Sequence, residues 1–229
     1  MPSILILDYS TSRIAIPTIR PWLPDSDQVT SLVIDSEASF PVDLVDRGFT
    51  HVIHSGSELS ITECSPFTLK AESFIRQATK MGIAQMGICY GHQLICRALV
   101  GESAVRASPN GFEAGWGEIA FNQRGIEVLG LHPIEKMWQH HFDEVIALPP
   151  GSEVIACSHH SEIQATINPG LRLLGTQFHP EVTSAVGNRI FKKDQALLRE
   201  YGYDVDKITS EGPSKDAGRL LFDYFLNRV

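Results

Sequence analysis

The sequence predicts an α/β protein built on a doubly wound, mostly parallel sheet with helices on both faces and a small additional β element. Three observations predict it. Residues 4–101 alternate apolar strand-like runs with helical stretches, the order that builds parallel βαβ units. The first of those runs, residues 4–8, is near-continuously apolar rather than alternating, as a strand covered on both faces requires, and residues 29–35 repeat the form less cleanly. Residues 102–180 instead break into short segments separated by Gly, Pro, Asn and Ser, which predicts a mostly β half.

Taken in order, Ile4-Leu5-Ile6-Leu7-Asp8 reads as a buried strand ending in a carboxylate. Residues 11–23 have apolar positions at helical spacing, but Pro17 and Pro21 reduce them to a short or irregular helix. A second strand is expected over 29–35, a brief helix over 41–47 before Gly48, and a third strand over 50–54, followed by the turn Ser55-Gly56-Ser57. Ser65 as a cap and Pro66 at the first helical position open a helix with a stripe of Leu69, Phe74 and Ile75, and Gly82 stops it. Residues 83–88 form the next strand, and a helix from Cys89 through Leu94, Ile95 and Leu99 to Gly101 follows with no spare residue between them. Short strands are expected over 117–121, 154–157 and 171–177. Amphipathic helices over 189–201 and 215–228 close the chain, the second aligning Leu220, Leu221, Tyr224 and Phe225.

At 229 residues and 43% hydrophobic content the chain is read as one domain, residues 1–229, with a full core. The formal charge of -8 and the lack of any Lys/Arg run argue against a nucleic-acid partner. The N-terminus carries no basic leader, and no apolar run is long enough to span a bilayer, so no membrane partner and a cytoplasmic location are expected. Cys64, Cys89, Cys96 and Cys157 lack CxxC spacing and are expected to be reduced. The adjacent pairs His140-His141 and His159-His160 cannot each converge on one ion, because neighbouring side chains point apart, and no metal site is expected.

Gly87-Ile88-Cys89-Tyr90-Gly91 fits a nucleophile elbow, in which the central residue rides a strained strand-to-helix turn and flanking small residues let the backbone pass. At a helix N-terminus the dipole favours a thiolate, the nucleophile that acyl transfer needs. A second strand-end loop holds His179-Pro180-Glu181, where a carboxylate two residues on accepts one imidazole N–H and turns the other nitrogen to the thiol.

Gly87-Ile88-Cys89-Tyr90-Gly91-His92-Gln93 together with Gln177-Phe178-His179-Pro180-Glu181 resembles the glutaminase signature of class I glutamine amidotransferases. Residues 111–119, with Gly-Trp-Gly-Glu, look most like the amidotransferase domain of GMP synthase and its stand-alone relatives. The resemblance implies a flavodoxin-like sheet and a Cys89-His179-Glu181 triad working without a metal or organic cofactor. Cys89 would attack the carboxamide of L-glutamine, His179 would protonate ammonia and then activate water, and Glu181 would orient His179. The backbone N–H groups of Gly56 and Tyr90 would hold the oxyanion, and Gln93 would recognise the substrate. Ser55 and Ser57 stand where the family more often has glycine and proline. A separate synthetase subunit would accept the ammonia. Two other functions share these residues: a γ-glutamyl peptidase acting on a γ-glutamyl compound, and a silent regulatory or binding module.

Overall fold

The first strand of the computed structural model, β1 (Ile4–Asp8), is buried along its whole length and divides its side chains between two cores. Ile4 and Ile6 point into one, Leu5 and Leu7 into the other, so both faces of the sheet must be covered. The structure describes residues 2–25, 28–35, 39–213 and 215–229. After β1 come α1 (Ala15–Ile19), β2 (Val29–Val33), β3 (His51–His54), α2 (Thr68–Lys80), β4 (Ala84–Ile88) and α3 (Tyr90–Val100). The β-rich half follows, with β5 (Val105–Ala107), β6 (Glu113–Phe121), α4 (Gln123–Leu129), β7 (Ile134–His141), β8 (Asp143–Val145), β9 (Glu153–Cys157), β10 (Ala165–Asn168) and β11 (Leu173–Thr176). The chain closes with α5 (Ser184–Lys193), α6 (Gln195–Glu200), α7 (Val205–Ser210) and α8 (Gly218–Arg228).

One large sheet has the order β2-β1-β3-β4-β11-β10-β9-β6-β7, and β5 pairs with β8 as a separate two-stranded element. It is parallel from β2 to β11 and antiparallel from β11 to β7. The β-rich half therefore extends the parallel sheet. The α2–α3 pair covers one face through Phe74, Ile75, Leu94 and Ile95. On the other, Ile19 of α1 and Leu221, Phe222 and Phe225 of α8 pack with Ile53 and Met86. A third core, with Trp116, Trp138, Phe191, Leu198 and Ile208, docks α5–α7 on β6 and β7.

Three expectations change in detail. Residues 41–47 form successive turns (Arg47 N–H to Asp43 O, 3.0 Å; Phe49 N–H to Leu44 O, 2.9 Å) rather than a helix, because the segment has little apolar face to bury: Val42 and Val45 are 74% and 58% exposed. Ser65-Pro66 makes a turn before α2, with Ser65 N–H donating to Thr68 Oγ1 and Thr68 N–H to Ser65 O. The helix expected over 189–201 breaks at Asp194 into α5 and α6.

Candidate active site

The junction of β4 and α3 holds Cys89 at φ 50°, ψ −107°, a left-handed conformation that a side-chain-bearing residue adopts at a cost of roughly 1–3 kcal/mol. Both sides pin it: Cys89 N–H donates to Thr176 O of β11 (2.7 Å), and Cys89 O accepts from Gln93 N–H (3.0 Å). The flanking glycines are required by contact. A Cβ on Gly91 would lie 2.2 Å from His54 O, and one on Gly87 would lie 2.6 Å from the His92 backbone. His92 is buried beneath the elbow against Gly175, and burial lowers its pKa to about 4, which keeps it neutral.

β11 runs beside β4 and delivers the loop that carries His179. His179 N–H donates to Trp138 O (3.0 Å), and its ring stands edge-on to Trp138, with centroids 4.9 Å apart. His179 Nδ1–H donates to Glu181 Oε1 at 2.7 Å, so the carboxylate fixes the ring's orientation. Burial by itself lowers the His179 pKa, but the charge of Glu181 and then of Cys89, with a hydrogen bond to each, outweighs it and raises the value to about 10. The imidazolium is thus the form held against the sulfur at neutral pH. Behind the loop, Trp22 Nε1–H donates to Glu181 O (2.8 Å), and the start of α8 lies so close that a Cβ on Gly218 would sit 2.0 Å from Pro180 O. Arg219 Nη1 donates to Trp22 O (2.7 Å), and Phe222 stacks on the indole.

The turn after β3 faces this pair. A Cβ on Gly56 would come within 2.7 Å of His179 Cε1. The neighbouring serines explain how the turn holds its shape without the usual glycine and proline. Tyr9 N–H donates to Ser55 Oγ, which donates to Gly56 O (2.8 Å), and Ser57 Oγ donates to Tyr9 O (2.9 Å). Tyr90 opens α3, where the backbone N–H has no acceptor within the helix. Gln93 is buried, and its Nε2 donates to Asp143 O (2.9 Å) and Gln177 Oε1 (3.1 Å).

Cys89, His179, Glu181, Gly56, Tyr90 and Gln93 all line one cleft of about 710 Å³ at the carboxyl ends of the parallel strands. The sequence reading did not single out Gln177, whose Nε2 lies 3.6 Å from Cys89 Sγ and whose oxygen accepts from Gln93; its place beside the His-Pro-Glu motif was the available signal. Also missed were Trp138 and Asp143, on the antiparallel wall, and Glu58, whose carboxylate accepts from the backbone N–H groups of Thr11 and Ser12 and from both hydroxyls. Burial raises the Glu58 pKa, but these donors together bring it below the usual carboxylate value.

The histidine pairs part as adjacency predicts: His140 stacks on Trp138, while His141 points to Glu113. Adjacency could not reveal that one member of each pair, His141 and His160, meets at Glu113.

A family model described as glutamine amidotransferase class-I matches residues 45–198. The chain belongs to the class I glutamine amidotransferases. Among members of this enzyme family, it is 34% identical over 141 residues to one of the subunits of a glutamine-hydrolyzing GMP synthase from Sulfurisphaera tokodaii, covering 57% of this chain and 73% of that one. It is 36% identical over 162 residues to a GMP synthase from Macrococcus caseolyticus, covering 70% of this chain but 28% of that longer protein. The structure of a glutamine amidotransferase from Thermotoga maritima superposes with a TM-score of 0.76 at 19% identity, over 98% of this chain and 96% of that one, the same fold. Among the described residues no helix is long and apolar enough to cross a membrane.

Proposed function

We propose that this amidotransferase, a single domain over residues 1–229, hydrolyses the glutamine carboxamide through Cys89 and passes ammonia to a separate synthetase subunit. Cys89 Sγ attacks the carboxamide carbon, and the tetrahedral oxyanion is held by the backbone N–H groups of Gly56 and Tyr90. As the C–N bond breaks, His179 gives its proton to the departing ammonia and leaves a γ-glutamyl thioester. His179 then takes a proton from water as the oxygen attacks, and breaking the C–S bond restores the thiolate and releases glutamate. Glu181 orients His179 throughout, and Gln93 recognises the bound glutamine. The observation that carries this reading is the 2.7 Å His179–Glu181 hydrogen bond beside a cysteine held at φ 50°. Delivery to a separate polypeptide is supported by the Sulfurisphaera relative, itself one of the subunits of a GMP synthase.

A second reading has an observation of its own. The cleft of about 710 Å³ reaches past Trp138 to Lys193, Asp194 and Leu197, room enough for a γ-glutamyl compound larger than glutamine. Glutamate release from L-glutamine is measured beside a panel of γ-glutamyl peptides, with Cys89→Ala as control. Glutamine turnover lost in Cys89→Ala supports the amidotransferase reading, and turnover of peptides alone makes the protein a γ-glutamyl hydrolase. A Cys89→Ala protein that keeps full activity overturns both, as does silence on every substrate in the presence of a cognate synthetase subunit.

A further inference from the structure

Three side chains from distant parts of the sequence meet beside the cleft. Glu113 opens β6, His141 ends β7 and His160 follows β9, yet their ligand-type atoms all lie within 4.8 Å of one another. Glu113 Oε2 is 2.8 Å from His141 Nε2 and 3.4 Å from His160 Nδ1. Bonds of ~2.0–2.1 Å at tetrahedral angles set donor atoms roughly 3.3 Å apart; the Glu113–His160 spacing matches, and an ion would part Glu113 from His141 by about half an ångström.

The second observation concerns the other nitrogen of each ring. His141 Nδ1–H donates to Asp143 O (3.0 Å), and His160 Nε2–H donates to Gly111 O (3.2 Å). Each imidazole is thereby anchored by a backbone carbonyl on its far side; the near nitrogen of His141 faces Glu113, and that of His160 lies between Glu113 and the Ser161 hydroxyl (2.9 Å). Histidines that ligate metals are oriented in this way, the distal N–H fixed on a carbonyl or carboxylate. The donors are partly or fully buried, with side-chain exposures of 2% for His141 and 14% for each of the others, so the cluster is a built pocket rather than a solvated patch.

We propose that Glu113, His141 and His160 bind one divalent transition-metal cation of the zinc class. Two imidazoles with one carboxylate select such an ion over magnesium or calcium, which prefer all-oxygen shells. It would staple the start of β6, the end of β7 and the loop after β9. The staple reaches the substrate wall, because Asp143 O accepts from both His141 Nδ1 and Gln93 Nε2.

The test uses the full chain carrying Cys89→Ser, stripped with a chelator and titrated with Zn²⁺ by calorimetry and with Co²⁺ by visible absorption. One equivalent should bind, cobalt should give the intense bands of a four-coordinate nitrogen–oxygen site without thiolate charge transfer, and zinc should raise the thermal midpoint. Adding His160→Asn or Glu113→Gln should weaken binding by at least roughly 10–100-fold, the loss seen even for outer-shell partners. His159→Ala, at an exposed neighbour, should change nothing. The cobalt spectrum and zinc-dependent midpoint need neither of these added substitutions, so a variant that fails to fold leaves the test intact. Absence of stoichiometric binding, thiolate bands, or binding that survives His160→Asn overturns the site in favour of a metal-free hydrogen-bonded cluster.

Discussion

The two halves of the sheet meet at one cleft but supply it with different things. From the parallel half, β4 and β11 present Cys89 and His179 on tight strand-end turns, and β3 leads into the Gly56 turn. From the antiparallel half, β7 contributes Trp138, with Asp143 just beyond it. Trp138 and Asp143 work through main-chain oxygens: Trp138 O receives the His179 N–H, and Asp143 O receives the Gln93 amide. Strand-end turns of the parallel half therefore hold the proposed reacting groups, and the antiparallel wall fixes their surroundings. A fold that keeps these tasks on separate strands can alter the wall without disturbing the proposed nucleophile.

That division makes ranked predictions. Cys89→Ala should cost on the order of 10⁶ in kcat, as loss of the nucleophile does in a triad hydrolase, with circular dichroism unchanged. Gly56→Ala puts a methyl within 2.7 Å of His179 Cε1 and displaces a proposed oxyanion donor. Its kcat should fall ~10²–10³-fold at nearly normal stability; a merely raised KM would move Gly56 into the wall class. Asp143→Ala removes a carboxylate that accepts from Ser60 Oγ (2.7 Å) and Ile61 N–H (3.0 Å). Urea melts should register a loss of ~1–3 kcal/mol, and KM should move more than kcat. A kcat loss equal to that of Cys89→Ala would break the comparison.

The last effect is on the pH dependence of stability. The folded pKa of His179, raised from 6.5 to about 10, lies above its unfolded value, so its contribution is fully present below pH 6.5 and lost as pH rises through about 10. Denaturant melts across that window should show a steeper decline for the parent protein than for His179→Asn; parallel declines would remove Glu181 and Cys89 as the source of the shift.

What could be read beforehand follows the same division. The elbow and the His-Pro-Glu loop are contiguous in sequence, and their chemistry depends on local geometry: a positive φ at Cys89, close approaches at Gly87 and Gly91, and a carboxylate two residues from an imidazole. The parallel order was legible because strand-like runs alternate with helical stretches, beginning with the uniformly buried β1. By contrast, Asp143 acts on Gln93 through a carbonyl, which every residue possesses, so its side-chain identity carries no signal. Gln177 looked like a strand residue until packing turned its amide toward Cys89. The break at Asp194 was hidden because helical periodicity continues across it.

The close seat of α8 against Pro180 bears on how the enzyme comes into being. Helix α8 supplies Phe222 to stack on Trp22 and Arg219 to hold the Trp22 carbonyl, and Trp22 in turn grips Glu181. A ribosome adds residues at about 5–20 per second, so Cys89 emerges many seconds before Gly218. During that interval Cys89 stands beside a His-Pro-Glu loop that lacks the docked helix bracing it through Trp22 and Pro180.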